Sequence, residues 1–237
     1  MEKIITKENL RNFAYVNDDL CTGPIQGIVV EFFGLGGMKM YEEHPFGSEL
    51  AAQNILLVVP YFDPWCWMNR QAVAFTDEIL NVLFEAHGLA ADTPIVSTGG
   101  SMGGLCALVY SRYAKRTPAA CVANCPVCDL PYHYTERPDL PRTLYSAFWS
   151  YDGTMEEALR SASPLHLADT MPDFPYCIFH CTADEAVNKQ KHSDRFAAAM
   201  THRRVEYIPV PERGHCDLGE EMLAVYRARI TAFAQKN

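Results

Sequence analysis

Gly99-Gly100-Ser101-Met102-Gly103 decides the reading of this chain. The pentapeptide follows an apolar run, Pro94 to Thr98, that reads as a buried strand, and it precedes Gly104 to Arg116, which reads as a helix. A turn this tight between strand and helix forces its central residue into a strained backbone conformation. It also brings the two backbones so close that only small residues fit at Gly99 and Gly103. The turn lifts the Ser101 hydroxyl to the carboxyl edge of a sheet and sets it at a helix N-terminus. A glycine-rich turn carrying an incidental serine is the competing explanation, so the rest of the chain has to supply the partners a nucleophile needs.

Working outward, short apolar runs recur at Gly27 to Phe33, Asn54 to Val59, Ala119 to Ala123, Tyr176 to Cys181 and Val205 to Val210. They are rich in Val and Ile and apolar on both faces, as strands covered by helices on both sides should be. Between them, Arg70 to His87 places Val73, Thr76, Ile79, Leu80 and Leu83 on one helical face, and Gly88 supplies a stop. Cys216 to Gln235 does the same with Met222, Leu223, Tyr226, Ile230 and Phe233, and Lys189 to Met200 reads as a shorter, more polar helix. Such alternation predicts an α/β fold: a mostly parallel central sheet with helices on both faces. Leu10 to Val16 is expected to add an antiparallel edge strand. The stretch 129–175 breaks the rhythm with Pro131, Pro138 and Pro141 among Tyr132, Tyr134, Tyr145, Phe148, Trp149 and Tyr151. It is too long for a plain connection. It reads as a lid-like cap with one or two short helices, such as Met155 to Arg160, inserted into a single domain covering 1–237.

A serine hydroxyl needs a base to take its proton. Of the eight histidines, His87 sits at a helix end, His192 and His202 belong to a polar helix and its exit, His44, His133 and His166 lie in loops, and His180 is inside a strand. Only His215 follows the last strand directly, in Arg213-Gly214-His215, where the loop returns to the carboxyl edge that carries Ser101. The acid that would orient this ring is expected after the preceding strand, in Thr182-Ala183-Asp184-Glu185. Asp184 is chosen, with Glu185 and Asp129 as alternatives. The charge developing on a substrate oxygen needs preorganised donors. The backbone N–H of Met102 is one, and that of Leu35, in Phe33-Gly34-Leu35-Gly36-Gly37, is the other. Trp65 and Trp67, after the strand ending at Val59, together with Trp149 are expected to shape a substrate pocket. Packing of the insertion is the competing explanation for these aromatics.

Composition narrows the function class. A formal net charge of −9 with scattered basic residues disfavours nucleic acid as a partner, and no apolar stretch reaches the length of a membrane span. An N-terminus that carries acids and lacks an apolar core is no secretory signal. Nine cysteines, an odd number, fit a reducing cytoplasm. Cys121, Cys125, Cys128 and His133 include a C-x-x-C but no second ligand pair, so packing roles are expected rather than a structural metal. No cofactor is implied, and self-association into a homo-oligomer stays open.

The elbow Gly99-Gly100-Ser101-Met102-Gly103-Gly104, the segment His180-Cys181-Thr182-Ala183-Asp184-Glu185-Ala186-Val187 and Gly214-His215 resemble the α/β-hydrolase superfamily, and within it the prolyl oligopeptidase-like or small esterase branch. The resemblance spans about Gly27 to the end. It implies the α/β-hydrolase fold and hydrolysis of esters or peptides through an acyl-serine, with Ser101, Asp184 and His215 in the order of that superfamily. The chain departs from the branch in carrying Phe33-Gly34 where members often carry His-Gly, and Cys181 where they often carry Gly. The residues ahead of Gly27 are too few to read as a β-propeller, which tilts the expectation toward a carboxylic ester hydrolase acting on a small ester. A peptidase or amidase on short peptides is the nearest rival, and a non-catalytic binding protein is the more distant one.

Overall fold

The apolar runs become seven strands in a single sheet in the computed structural model, which describes residues 4–235. The strands are β1 (Ala14–Val16), β2 (Gly27–Phe32), β3 (Ile55–Pro60), β4 (Ile95–Gly100), β5 (Ala120–Asn124), β6 (Tyr176–Cys181) and β7 (Val205–Val210). Their order is β1-β3-β2-β4-β5-β6-β7; β1 runs antiparallel to β3 and all other pairs are parallel. This is the mostly parallel sheet expected from the alternation, in the α/β-hydrolase fold that the resemblance implies. The strands β3, β5 and β6 are buried along their whole length, which is why they carry no polar alternation. The edge strand β7 is only half-buried.

The strand order reverses between β2 and β4. The chain leaves β2 toward β3 on one side and returns to β4 on the other, so the loops at the carboxyl ends of β2 and β4 diverge. In open α/β sheets that divergence opens the crevice where ligands bind. The loop after β2 contains Leu35, and the turn after β4 contains Ser101. The register aligns Phe32 of β2 with Gly99 of β4.

The helices are α1 (Pro45–Ala51), α2 (Arg70–Ala86), α3 (Met102–Tyr113), α4 (Leu130–Glu136), α5 (Leu140–Phe148), α6 (Met155–Ser161), α7 (Pro164–Leu167), α8 (Ser193–Ala199) and α9 (Gly219–Ala234). Asn69 caps α2 by accepting the Ala72 N–H, and Thr76, Ile79, Leu80 and Leu83 are buried as the periodicity predicts. Several boundaries differ from the sequence reading. Helix α9 starts at Gly219 instead of Cys216, because the left-handed backbone of Cys216 (φ 59°) breaks the helical run and the chain turns again at Gly219 (φ 61°) as it enters the helix; its Leu223 is exposed. Helix α8 starts at Ser193 because Asn188 closes a separate turn, accepting the N–H groups of Lys191 and His192 on its carbonyl. The edge strand shortens to Ala14–Val16, with a 3₁₀ turn at Leu10–Asn12 in front of it.

The stretch 129–175 is more helical than its prolines suggest. It holds α4, α5, α6 and α7, and Pro131, Pro141 and Pro164 each sit in the first turn of a helix. The missing N–H costs nothing there and the fixed φ favours helix entry. Helix α6 begins with a capping box between Thr154 and Glu157.

The short strand β1 is secured by a side chain. Asn17 follows it fully buried, accepts the Leu57 N–H on Oδ1 (2.7 Å) and donates from Nδ2 to Gly47 O (2.7 Å) and Ile55 O (3.2 Å). Its amide thus continues the ladder where the backbone turns away. Asn17→Leu strands three buried backbone groups, and buried unsatisfied groups cost on the order of 1–3 kcal/mol each. A destabilisation of about 3 kcal/mol and a Tm lower by roughly 6–12 °C is expected. A shift below about 1 kcal/mol in urea unfolding would show that the amide holds nothing.

Candidate active site

Three backbones meet behind Ser101. A Cβ on Gly99 would lie 2.5 Å from the Gly103 carbonyl and 2.6 Å from Phe32 O, and one on Gly103 would run into Phe32 O. Strands β2 and β4 and helix α3 therefore touch with no room for side chains, and the chain crosses from β4 to α3 in one residue. Ser101 takes up the turn with φ 58° and ψ −123°, a conformation non-glycine residues rarely hold. Its N–H donates to Asn124 O at 2.9 Å, which pins the strained residue to the end of β5.

His215 and Asp184 come together as the sequence expects. His215 Nδ1 donates to Asp184 Oδ2 at 2.7 Å. The Asp184 side chain is fully buried, and its Oδ1 accepts the N–H groups of Ala186 and Val187, each at 2.9 Å. His180 braces it from below. The His180 Nε2–H donates to Val187 O (3.1 Å) and lies 3.4 Å from Asp184 Oδ2, while its Nδ1 accepts from the Ser193 hydroxyl (2.6 Å). Burial works to raise the Asp184 carboxyl, but hydrogen bonds from His180, His215 and the Val187 N–H outweigh it and hold the group well below the usual carboxylate range. Both alternatives for the acid are engaged elsewhere or point away: Asp129 caps α4 and pairs with Arg195 at 2.6 Å, and Glu185 is exposed.

Ser101, His215 and Leu35 share the wall of an open cavity of about 550 Å³. Among the described residues no hydrogen bond joins Ser101 to His215; His215 Nε2 instead faces Cys216 Sγ at 3.7 Å. Burial opposes the charged form of His215, but the hydrogen bonds to Asp184 and Cys125 prevail and raise it to about 9. The Cys125 thiol is pushed the other way, below its ordinary value, by the Cys216 hydrogen bond against the effect of burial, with His215 adding to it. In the loop after β2, Gly36 N–H goes to Pro64 O and Gly37 N–H to Gly34 O, while the Leu35 N–H has no acceptor among the described residues.

Of the three tryptophans, only Trp67 lines this cavity. It is buried, and its Nε1 donates to Thr143 of α5 at 3.1 Å. Trp149 is 73% exposed and Trp65 lies outside the cavity under the Arg142 guanidinium; Trp149 follows α5 on the side that faces away from the core. Glu31, Tyr41 and Arg137, which the sequence did not single out, also line the cavity, as does His133, which the sequence placed in a loop and weighed only as a base or metal ligand. His133 and Arg137 come from the stretch 129–175. Nothing in their local pattern marks them, since a histidine and an arginine at the end of a short helix read as solvated. His133 and His192 both donate to Glu136, whose carboxyl burial would raise but which these two hydrogen bonds hold down at about 2. His192 also accepts the N–H groups of Cys128 and Asp129 on Nδ1, both at 3.1 Å, which ties the start of the insertion to the segment before α8.

A fluorophosphonate probe is expected to label the wild-type chain at Ser101 and to leave Ser101→Ala unlabelled while its circular dichroism is unchanged. Mass spectrometry that locates the adduct on another serine would overturn Ser101 as the nucleophile.

Comparison with known proteins bears on this geometry. The chain superposes on a puromycin-hydrolyzing peptidase from Mycobacterium tuberculosis with a TM-score of 0.69 at 18% identity, covering 90% of this chain and 34% of that one. It superposes on dipeptidyl peptidase 4 of Porphyromonas gingivalis with a TM-score of 0.72 at 14% identity, covering 93% and 33%. A truncated carbohydrate esterase from gut microbiota gives a TM-score of 0.71 at 13% identity, covering 91% and 88%. The chain thus spans about a third of the length of the two peptidases, and these likenesses show the shared fold. None of the curated proteins matches it significantly in sequence. Residues 65–237, which hold Ser101, Asp184 and His215, match the sequence profile of the prolyl oligopeptidase family, and the chain belongs to that family.

Proposed function

We propose that the protein is a carboxylic ester hydrolase working through an acyl-Ser101 intermediate, with His215 as general base and Asp184 as its orienting acid. The observation that carries this reading is the strained Ser101 turn sharing one cavity with a His215 ring whose Nδ1–H is held by a buried carboxylate. Asp184 leaves the Nε2 lone pair of His215 free to take the Ser101 proton, and it stabilises the imidazolium that follows. The ring then protonates the leaving group and activates water for deacylation. The N–H groups of Leu35 and Met102 would receive the oxyanion. The segment 129–175 would act as a cap, since His133 and Arg137 reach the cavity from it.

An ester is favoured over an amide by leaving-group chemistry. An alkoxide departs with modest help, whereas an amine must be protonated as it leaves, which demands an imidazolium delivered to the leaving nitrogen. The family profile favours a peptidase as the second reading. Rates on p-nitrophenyl acyl esters and on aminoacyl anilides separate the two. Ester kcat/KM is expected to exceed anilide kcat/KM by at least about a hundredfold; anilide hydrolysis at comparable kcat/KM would establish the peptidase.

The pH profile tests the base. His215 must be neutral to act, and its pKa is raised to about 9. The acid limb of kcat/KM should therefore have its midpoint above the ordinary ~6.5 of histidine, with activity still rising as pH climbs through neutrality. Cys125→Ser removes one of the interactions that raise the ring and should move the midpoint down. A wild-type midpoint at or below about 6.5 would contradict this arrangement of His215.

A further inference from the structure

All nine cysteines are free thiols, and the C-x-x-C at 125–128 does not act as a pair. Cys128 is buried and its Sγ donates to Pro126 O. Cys125 turns the opposite way, toward the site. It sits just past β5 with a left-handed backbone (φ 44°), and its Sγ accepts the Cys181 N–H at 3.3 Å. Cys216, from the far end of the chain, is held beside it because Asn124 Nδ2 donates to Cys216 O at 3.1 Å. The sulfurs of Cys125 and Cys216 and a ring nitrogen of His215 all lie within 4.8 Å of one another, and His215 Nε2 is 3.7 Å from Cys216 Sγ.

We propose that Cys125, Cys216 and His215 form a binding site for a soft divalent cation of the zinc class, and that occupancy of the site switches hydrolysis off. Two thiolates and an imidazole are the donor set that selects such ions over magnesium or calcium. Zinc bonds of ~2.3 Å to sulfur and ~2.0–2.1 Å to nitrogen place tetrahedral ligands roughly 3.5–3.8 Å apart. The Nε2–Sγ separation of 3.7 Å already matches, and side-chain rotation of the cysteines can close the remainder. The supporting contacts are in place as well. Asp184 accepts the His215 Nδ1–H at 2.7 Å, which orients the opposite nitrogen toward an ion as in carboxylate–histidine–zinc arrangements. The Cys181 N–H already points at the Cys125 sulfur. Cys216 is half-buried and lines the cavity that Ser101 opens onto, which gives the ion an entry path. On binding, both thiols lose their protons to solvent. A second cluster, His133, Glu136 and His192, lacks this readiness: His192 Nδ1 already accepts two backbone N–H groups, so its Nε2 carries the proton that goes to Glu136.

The inhibitory half of the proposal rests on His215 being the base, since the ion takes the Nε2 lone pair; the binding half does not. The test uses the full chain, metal-free and kept reduced with a phosphine, titrated with Zn²⁺ alone and, in parallel, with Co²⁺ alone. Equilibrium dialysis is expected to find one Zn²⁺ per chain, and Co²⁺ to give thiolate-to-metal charge-transfer absorption in the near ultraviolet. Hydrolysis of a p-nitrophenyl ester should fall with the same midpoint as zinc uptake and return on adding a chelator. Cys125→Ser and Cys216→Ser, each referred to its own metal-free rate, should raise that midpoint by about tenfold or more. Because Cys216 is half-buried, its variant keeps the test decisive if the buried Cys125→Ser fails to fold. No zinc uptake, no charge-transfer band, or an inhibition midpoint unmoved by the cysteine changes would overturn the site. Zinc uptake with the cobalt band but undiminished hydrolysis would uphold the site and overturn His215 as the base.

Discussion

The contact of three backbones at Phe32, Gly99 and Gly103 is the constraint on which the rest of this structure depends. Because β2, β4 and α3 approach without side chains between them, the chain has one residue in which to pass from strand to helix. That residue, Ser101, is driven to φ 58°. Such strain persists only where its surroundings over-determine it. Here the hydrogen bond from Ser101 N–H to Asn124 O supplies part of that determination. The same contact aligns the ends of β2 and β4 at the point where the strand order reverses, so Leu35 and Ser101 line one crevice.

Asn124 carries the constraint onward. Its carbonyl holds the elbow and its side chain holds the backbone of Cys216, so the His215 loop is registered against Ser101 through a single residue at the end of β5. The buried Asp184 completes the frame from β6. A carboxylate removed from water is costly unless its lone pairs are engaged, and this one is engaged by two backbone N–H groups and by His215, with His180 close behind. The result is a ring held through Nδ1 by Asp184, with the sulfurs of Cys125 and Cys216 beside it and the cavity that Ser101 also lines in front of it. What distinguishes this site is that the region is sulfur-rich, so the lone pair that would serve a hydrolase is also within reach of a thiophilic ion.

The stretch 129–175 contributes differently. Three of its four helices carry a proline in the first turn, and the stretch is tied back by side chains: Trp67 to Thr143, Asn69 to Ala147, and His192 to the amides of Cys128 and Asp129. These ties place His133 and Arg137 at the cavity wall while leaving Trp149 in solvent.

The sequence by itself determined the alternation of strands and helices, the tight strand-to-helix turn at Ser101, and the loops after β6 and β7 that carry Asp184 and His215. Each of these rests on a local rule: period along the chain, turn chemistry, or position after a strand in a sheet whose carboxyl ends must share an edge. The boundaries of α8 and α9 escaped it because left-handed residues such as Cys216 and a turn closed by Asn188 interrupt a periodic pattern without altering it. The helicity of 129–175 escaped it because a proline reads alike in a loop and in the first turn of a helix. Only the tertiary structure decided which residues meet across long separations. Asn124 against Cys216, Cys125 against His215, and His133 at the cavity all depend on where side chains point once layers pack. Packing direction follows from the summed fit of distant segments, which no window of sequence contains.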